Sequence, residues 1–383
     1  MTDGPAPLGV YVHWPYCARI CPYCDFNVVR ERGRTAEKAA LGRAILADLA
    51  AQRALTGPRR LVSVFLGGGT PSLMDPALAS EIVETARRLW TPDADLEVTL
   101  EANPTDAEAD RFAGFRDAGV NRLSLGLQSL HDDALKALGR NHDAAQAIRA
   151  ARRAAEVFPR LSLDMIYARP GQTPADWAAE LAAAIDLGAE HVSPYQLTIE
   201  PGTAFDRAVD RGTLVPPDPD TAAALYETTQ EVLEAAGFEA YEVSNHARGE
   251  AARSRHNLVY WRGWDYVGAG PGAHGRLTLG GARHATAAPR GIGDYVATVD
   301  GAAGPALERL DARDQALERV LMGLRTVEGV ALAELAPLDI PPQRLADLTD
   351  LGLIRVANGR LIATATGRPV LDRLTAEIAG VGA

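Results

Sequence analysis

The sequence predicts an α/β fold of six parallel strand–helix units, followed by a winged-helix-like domain. Two observations predict the first part. Short β-rich runs alternate with helical stretches through the first 205 residues, which calls for parallel strands with crossover helices. Each run also ends in glycine, proline or a polar residue, as expected where functional groups collect at the C-terminal ends of barrel strands. One observation predicts the second part: Asn358-Gly359 sits between two apolar runs in "LIRVANGRLIAT", a strong hairpin signal.

The strands are expected at 8–14, 61–69, 96–104, 121–129, 161–171 and 190–202. Helices are expected at 35–55, 75–90, 143–158 and 173–188, the last with Thr173 as N-cap and Pro174 in its first turn. Residues 206–300 are mixed and rich in glycine, histidine and aromatics, and are read as an extension of the barrel. Residues 301–383 read as a helix, two short helices, a hairpin and a last helix. The order resembles a winged helix, but "PQRLADLTDLG" sets Asp347 and Asp350 against a single Arg344, a poor footprint for DNA. That region is read as a packing or docking module.

The chain has 383 residues, of which 47% are hydrophobic and 23% charged, enough for a full core. A formal net charge of −11 argues against nucleic acid or an anionic membrane face as partner. No apolar run approaches the ~20 residues of a membrane span. The opening "MTDGPAPLGVYVHW" lacks a secretory leader's basic and apolar regions. A cytoplasmic location is therefore expected, where clustered thiols favour metal over disulfides.

All three cysteines lie in "CARICPYC": Cys17, Cys21 and Cys24. A catalytic cysteine needs only one thiol. A structural zinc site usually takes four ligands in two separated pairs. His13 could complete four, yet the pairs are absent, and zinc stays open as the alternative. Three thiolates on one loop after a strand suit a cubane iron–sulfur cluster with one iron left free for a small ligand.

"YVHWPYCARICPYCDF" resembles the radical S-adenosylmethionine signature. The likeness continues through "FLGGGTPS", "LEANP", "LGLQS", "LGRNH", "DMIYARPGQT", "YQLTIEPGT" and "HNLVYW". Across nearly the whole chain the sequence is similar to oxygen-independent coproporphyrinogen III oxidase and its relatives, and within them to the heme chaperone branch. The resemblance implies an incomplete parallel (β/α)6 barrel. It implies a [4Fe–4S] cluster on Cys17, Cys21 and Cys24 whose open iron binds S-adenosylmethionine, which one electron can split to a 5′-deoxyadenosyl radical. It also implies cofactor contacts from Tyr11, Gly68, Gly69, Thr70, Glu101, Gln128, Arg140 and Asp164. Asp164 lies among Leu161, Leu163 and Ile166, where a carboxylate has no structural excuse. The glycines are expected to let the backbone approach the methionine end of the cofactor. No side chain is assigned a catalytic role.

Two departures separate the sequence from the oxidases. Phe26 stands where they carry a fourth cysteine, and the first strand begins almost at once where they have a long N-terminal segment. The segment "RHNLVYW" resembles the HNxxYW heme-binding motif of the chaperone branch. That likeness implies heme, with His256 as axial donor and Tyr260 and Trp261 as flat faces; His246 and His274 are secondary candidates. The implied partners are heme-accepting apo-proteins and an electron donor such as a flavodoxin or ferredoxin. A homodimer and peripheral membrane contact through the acceptors also fit. The alternative function is coproporphyrinogen decarboxylation or another radical enzyme activity.

Overall fold

The computed structural model describes residues 5–302 and 304–380. Residues 1–4, part of the stretch read above as lacking a leader, lie outside the described residues.

Six strands form the barrel wall: β1 (Pro7–Trp14), β2 (Arg60–Gly68), β3 (Thr91–Ala102), β4 (Arg122–Gln128), β5 (Arg160–Tyr167) and β6 (His191–Gln196). All five junctions between them are parallel. The crossover helices are α1 (Thr35–Thr56), α2 (Pro76–Leu89), α3 (Phe112–Asp117), α4 (Ala144–Val157) and α5 (Pro174–Ile185); α6 (Pro219–Ala235) follows β6. Local chemistry fixes their starts. Asp75 and Thr173 cap α2 and α5, each with proline next, and Asp143 and Gln146 form a capping box on α4.

The sheet runs on at both edges. β7 (Glu239–Glu242) and β8 (Asn245–Ala247) add to the β6 side, with β8 antiparallel to β6. Beside β1 comes β9 (Asp265–Ala269), parallel to it, then the antiparallel β10 (His274–Leu279), β11 (Ala282–Ala287) and β12 (Ala306–Arg309). The order is β12-β11-β10-β9-β1-β2-β3-β4-β5-β6-β8-β7, an open sheet of 12 strands. Its core joins strand residues such as Leu66, Leu100 and Leu125 to helix residues such as Ile45, Ile82 and Trp177. Between β9 and residues 241–254 lies a short helix, α7 (Arg255–Trp261), with Ser254 as its N-cap.

The C-terminal domain contains α8 (Ala312–Gly323), β13 (Val330–Ala331), a 3-10 turn at Leu332–Leu338, α9 (Pro342–Asp350), β14 (Ile354–Ala357), β15 (Arg360–Ala363) and α10 (Leu371–Ala379). This is the winged-helix order. Asn358 and Gly359 both have positive φ, 51° and 71°, as the hairpin signal required. A separate core forms around Val320, Leu335, Ile354 and Leu374. β12 lies beyond residue 301 yet pairs with β11, so the second core starts with α8 rather than at 301. Asp347 and Asp350 are exposed on α9, and Arg344 is tied to the Glu377 carbonyl at 2.8 Å. Among the described residues no helix is long and apolar enough to cross a membrane.

Candidate cofactor cavity

The cysteine loop leaves β1 and is pinned at both ends. Tyr16–Cys17 pairs with Val29–Arg30 as a short ladder. His13 Nε2 meets the Asn27 carbonyl at 2.8 Å, and the Asn27 amide donates to the Pro271 and Arg290 carbonyls, each at 2.9 Å. His13 therefore braces the loop from below and is 5% exposed. Cys17 is buried, while Cys21 and Cys24 are half-buried. Burial pushes the Cys17 thiol up to about 11 and raises Cys24 as well.

All three cysteines line one cavity of about 620 Å³. Among the described residues no three His, Cys, Asp or Glu side chains converge on a single-ion site. A zinc ion demands such convergence, whereas a cluster gives each thiolate its own iron. The donor set thus fits the cluster: three thiols spread along one loop, with no fourth cysteine in the chain.

The cavity also gathers most of the residues expected around it: Gly68, Gly69, Thr70, Glu101, Gln128, Arg140 and Asp164. Arg140 reaches Cys21 Sγ at 3.3 Å and is held by the Gly126 carbonyl at 3.1 Å and by Asn103 Oδ1. Asn103 in turn donates to Thr70 Oγ1 at 3.0 Å. Gln128 sits at a bulge with φ 65°, a conformation that costs a non-glycine residue of order 1–3 kcal/mol and aims its side chain at the cavity. Deeper in lie two acids. Glu101 accepts from the Gly68 N–H at 3.1 Å, and burial, helped by the charge of Asp164, pushes it up to about 8. Asp164 accepts from Ser124 Oγ at 2.9 Å, and burial raises it too. Arg122 shares the same wall.

The glycine run has a second reason beside the expected one. Gly68 has φ 110°, and a Cβ there would stand 2.6 Å from the His13 ring; at Gly69 it would meet the Pro15 and Tyr16 backbone at 2.8 Å. These glycines are required by the chain's own packing before any ligand arrives. Tyr11 does not reach the cavity wall. Its hydroxyl bonds His13 Nδ1 at 2.9 Å.

The HNxxYW expectation needs correction. His256 is 1% exposed, and both ring nitrogens are occupied, by Ser63 Oγ at 2.8 Å and the Tyr260 hydroxyl at 2.7 Å. Phe65, which lines the cavity, stacks on the imidazole at 4.8 Å and screens it. Burial lowers this histidine to about 3. An axial ligand needs a free nitrogen and an open face, and His256 has neither here. Tyr260 lines a second, smaller cavity against the C-terminal domain. Trp261 lies against the Arg325 guanidinium at 4.7 Å. His246 is buried against Gln230, and His274 is exposed on β10, away from the cavity. The motif residue that does line the cavity is Asn257. Sequence reading gave it no role although it is the asparagine of HNxxYW, and gave none to Asn103 of "LEANP" or to Arg122.

The radical SAM superfamily matches residues 11–183, and the HemN C-terminal domain matches residues 310–370. The mitochondrial radical S-adenosyl methionine domain-containing protein 1 of Bos taurus is 45% identical over 285 residues, covering 73% of this chain and 64% of that protein. The chain thus spans just under two thirds of that relative's length. Heme chaperone HemW of Mycobacterium tuberculosis is 36% identical over 383 residues, covering 98% of this chain and 95% of that one. Among solved structures, coproporphyrinogen III oxidase (HemN) of Escherichia coli superposes with a TM-score of 0.79 at 22% identity, covering 98% of this chain and 90% of that one, a likeness of fold. With both regions matched and the similarity running end to end, the chain belongs to the radical SAM superfamily, within the family of the heme chaperone HemW proteins.

Proposed function

We propose that this protein is a heme chaperone that binds heme and hands it to apo-hemoproteins, and that it carries a [4Fe–4S] cluster and S-adenosylmethionine in its barrel cavity. The observation that carries the reading is the full-length similarity to a heme chaperone, C-terminal domain included. Cys17, Cys21 and Cys24 would hold the cluster, and the cluster with S-adenosylmethionine supplies one-electron chemistry when bound. Arg140 sets a positive charge against the loop, and Thr70 is held toward the cavity by Asn103. Glu101 and Asp164 give the cavity two carboxyl groups suited to a cationic sulfonium or ammonium.

Heme calls for a flat apolar surface, and the cavity mouth has one. Ile20, Phe26 and Tyr195 are 39%, 63% and 43% exposed and all line the opening. Phe26 occupies the place of the oxidases' fourth cysteine, so the same position replaces a sulfur with apolar surface. The recipients are heme-accepting apo-proteins, reached as a monomer or homodimer and, for membrane-bound acceptors, at the membrane surface. A flavodoxin or ferredoxin would reduce the cluster. We assign the work to the cytoplasm, where the thiols stay reduced.

An anaerobic assay tests the reading. The reconstituted protein is offered coproporphyrinogen III in one arm, and hemin plus an apo-hemoprotein in the other. Hemin uptake and transfer without porphyrinogen turnover supports the chaperone; formation of vinyl groups from the porphyrinogen, with no hemin uptake, overturns it.

A further inference from the structure

We infer that the HNxxYW helix serves the S-adenosylmethionine cavity rather than the heme: Asn257 contacts the cofactor from the barrel floor, and His256 is the positioning residue that aims it. The inference rests on the assignment of S-adenosylmethionine to this cavity.

The helix α7 passes beneath the N-terminal parts of the strands. A Cβ on Gly9 of β1 would meet Val259 of α7 at 3.2 Å, so the close approach depends on that glycine. Its first turn is fastened from below. The backbone N–H groups of Arg255 and His256 both donate to the Glu97 carboxylate, at 3.0 Å each. Glu97 is buried in β3 and paired with Arg160 of β5 at 2.8 Å. Those two charged–neutral hydrogen bonds and the ion pair hold Glu97 ionised, and its acidity is strengthened by Arg122 and Arg160 despite burial. The Asn257 N–H is taken by the Ser254 cap at 3.3 Å.

His256 then fixes the rotation of the helix. Its ring is clamped between Ser63 on β2 and Tyr260 one turn along α7, with Phe65 stacked on its face. With one neighbour locked in this way, Asn257 has its direction set. It is the one residue of α7 on the wall of the large cavity, and its side-chain amide makes no hydrogen bond among the described residues. His256 is held by two partners and Tyr260 by His256, while Trp261 has Arg325 over its ring and does not line the large cavity. A free amide offers one acceptor and two donors.

The surroundings favour S-adenosylmethionine over heme as the group it meets. Glu101 and Asp164 share this cavity, and two carboxyl groups suit a sulfonium, an ammonium and ribose hydroxyls. They are a poor setting for the two propionates of a porphyrin, which would have to be buried there with Arg122 and Arg140 as the cations on the wall, both on its inner side. The apolar surface that suits the macrocycle lies instead at the mouth, on Ile20, Phe26 and Tyr195.

The test uses the full chain, reconstituted with iron and sulfide without oxygen, and reads equilibrium binding of S-adenosylmethionine by calorimetry beside hemin binding by absorption. Asn257→Ala is expected to weaken S-adenosylmethionine by about tenfold, the usual loss for a hydrogen-bonding side chain. Its iron content, hemin affinity and Soret band should match the parent. His256→Ala should weaken S-adenosylmethionine in the same way, by freeing the helix to turn. His256→Gln, whose amide can still reach Tyr260, should recover most of the loss, with the Soret band unchanged. Parental S-adenosylmethionine affinity in Asn257→Ala overturns the inference, as does a shifted Soret band in His256→Gln, which would make the imidazole an iron ligand. If the parent itself binds no S-adenosylmethionine, the cofactor assignment fails and takes the inference with it.

Discussion

At the mouth of the cavity, three thiols come from one loop of consecutive residues, 17–24, and two of them are half-buried. At the floor, Glu97 draws together Arg160 and the backbone of Arg255 and His256, groups far apart along the chain, and its side chain is fully buried. The mouth is local and open, and the geometry of its thiol loop is set by a short ladder and one bracing histidine. The floor is non-local and closed, and its members satisfy one another. A site that must exchange ligands keeps its donors free, while around Glu97 the donors are spent on holding the helix to the strands. The two regions should therefore fail differently when altered: the mouth by losing a ligand, the floor by losing stability.

The largest effect is expected at the mouth. Cys17→Ala, Cys21→Ala and Cys24→Ala should each abolish the cluster, read as iron content and visible absorption after reconstitution. The unfolding midpoint of the iron-free chain should barely move, because the core lies elsewhere. A single variant that keeps a full cluster complement would show the ligand assignment to be wrong.

Glu97→Ala reverses the pattern. It leaves Arg160 with Glu190 as its remaining carboxylate and two backbone N–H groups without an acceptor, and breaking a buried pair costs up to about 3–5 kcal/mol. Urea denaturation of the iron-free chain should register that loss, while the cysteine loop stays able to take up iron. An unchanged midpoint would mean that the floor network does not hold the helix.

Gly68→Ala lies between the two regions. The positive φ and the approach to the His13 ring put its cost at about 1–3 kcal/mol, and His13 carries the strain to Asn27 and the loop. A bulky residue at this position would thus perturb stability as well as ligand binding, so it does not isolate the cofactor contact. Thermal melts of the iron-free variant should show the fall. A melt matching the parent would return the glycine to a purely ligand-facing role.

Most of the fold was legible in the sequence, because strands, helices, caps and the Asn358-Gly359 turn are written in neighbouring residues. The cysteine loop was legible for the same reason. The floor was not. Glu97 sits in an apolar strand just as Asp164 does, and the same signal could have marked it, but its partners Arg160, Arg255 and His256 share no spacing with it. His256 shows the converse limit: the residue type of a metal ligand was plain, while its two hydrogen bonds and the Phe65 screen exist only in the folded chain. The glycine run was seen, but the ring and backbone that demand it were not.

A further effect concerns pH. Glu101 holds its proton up to about 8 in the folded chain, against an ordinary value of 4.5. The unfolded chain gives up this proton first as pH rises. Its contribution to stability is therefore complete below 4.5 and is lost as pH climbs toward 8. Glu101→Gln in the iron-free chain should flatten stability across that window relative to the parent. Equal slopes would mean that the cavity leaves this carboxyl ordinary.

One measurement bears most directly on a barrel that holds the cluster and S-adenosylmethionine through its thiols, and heme through apolar side chains of the same mouth without a thiol ligand. The Cys17→Ala, Cys21→Ala, Cys24→Ala triple variant and the parent are titrated in parallel with S-adenosylmethionine and with hemin. The expected result is that the triple variant loses S-adenosylmethionine binding together with the cluster, yet takes up hemin with the parental affinity and Soret band. Retained S-adenosylmethionine binding without the cluster, or hemin binding that disappears with the thiols, would contradict it.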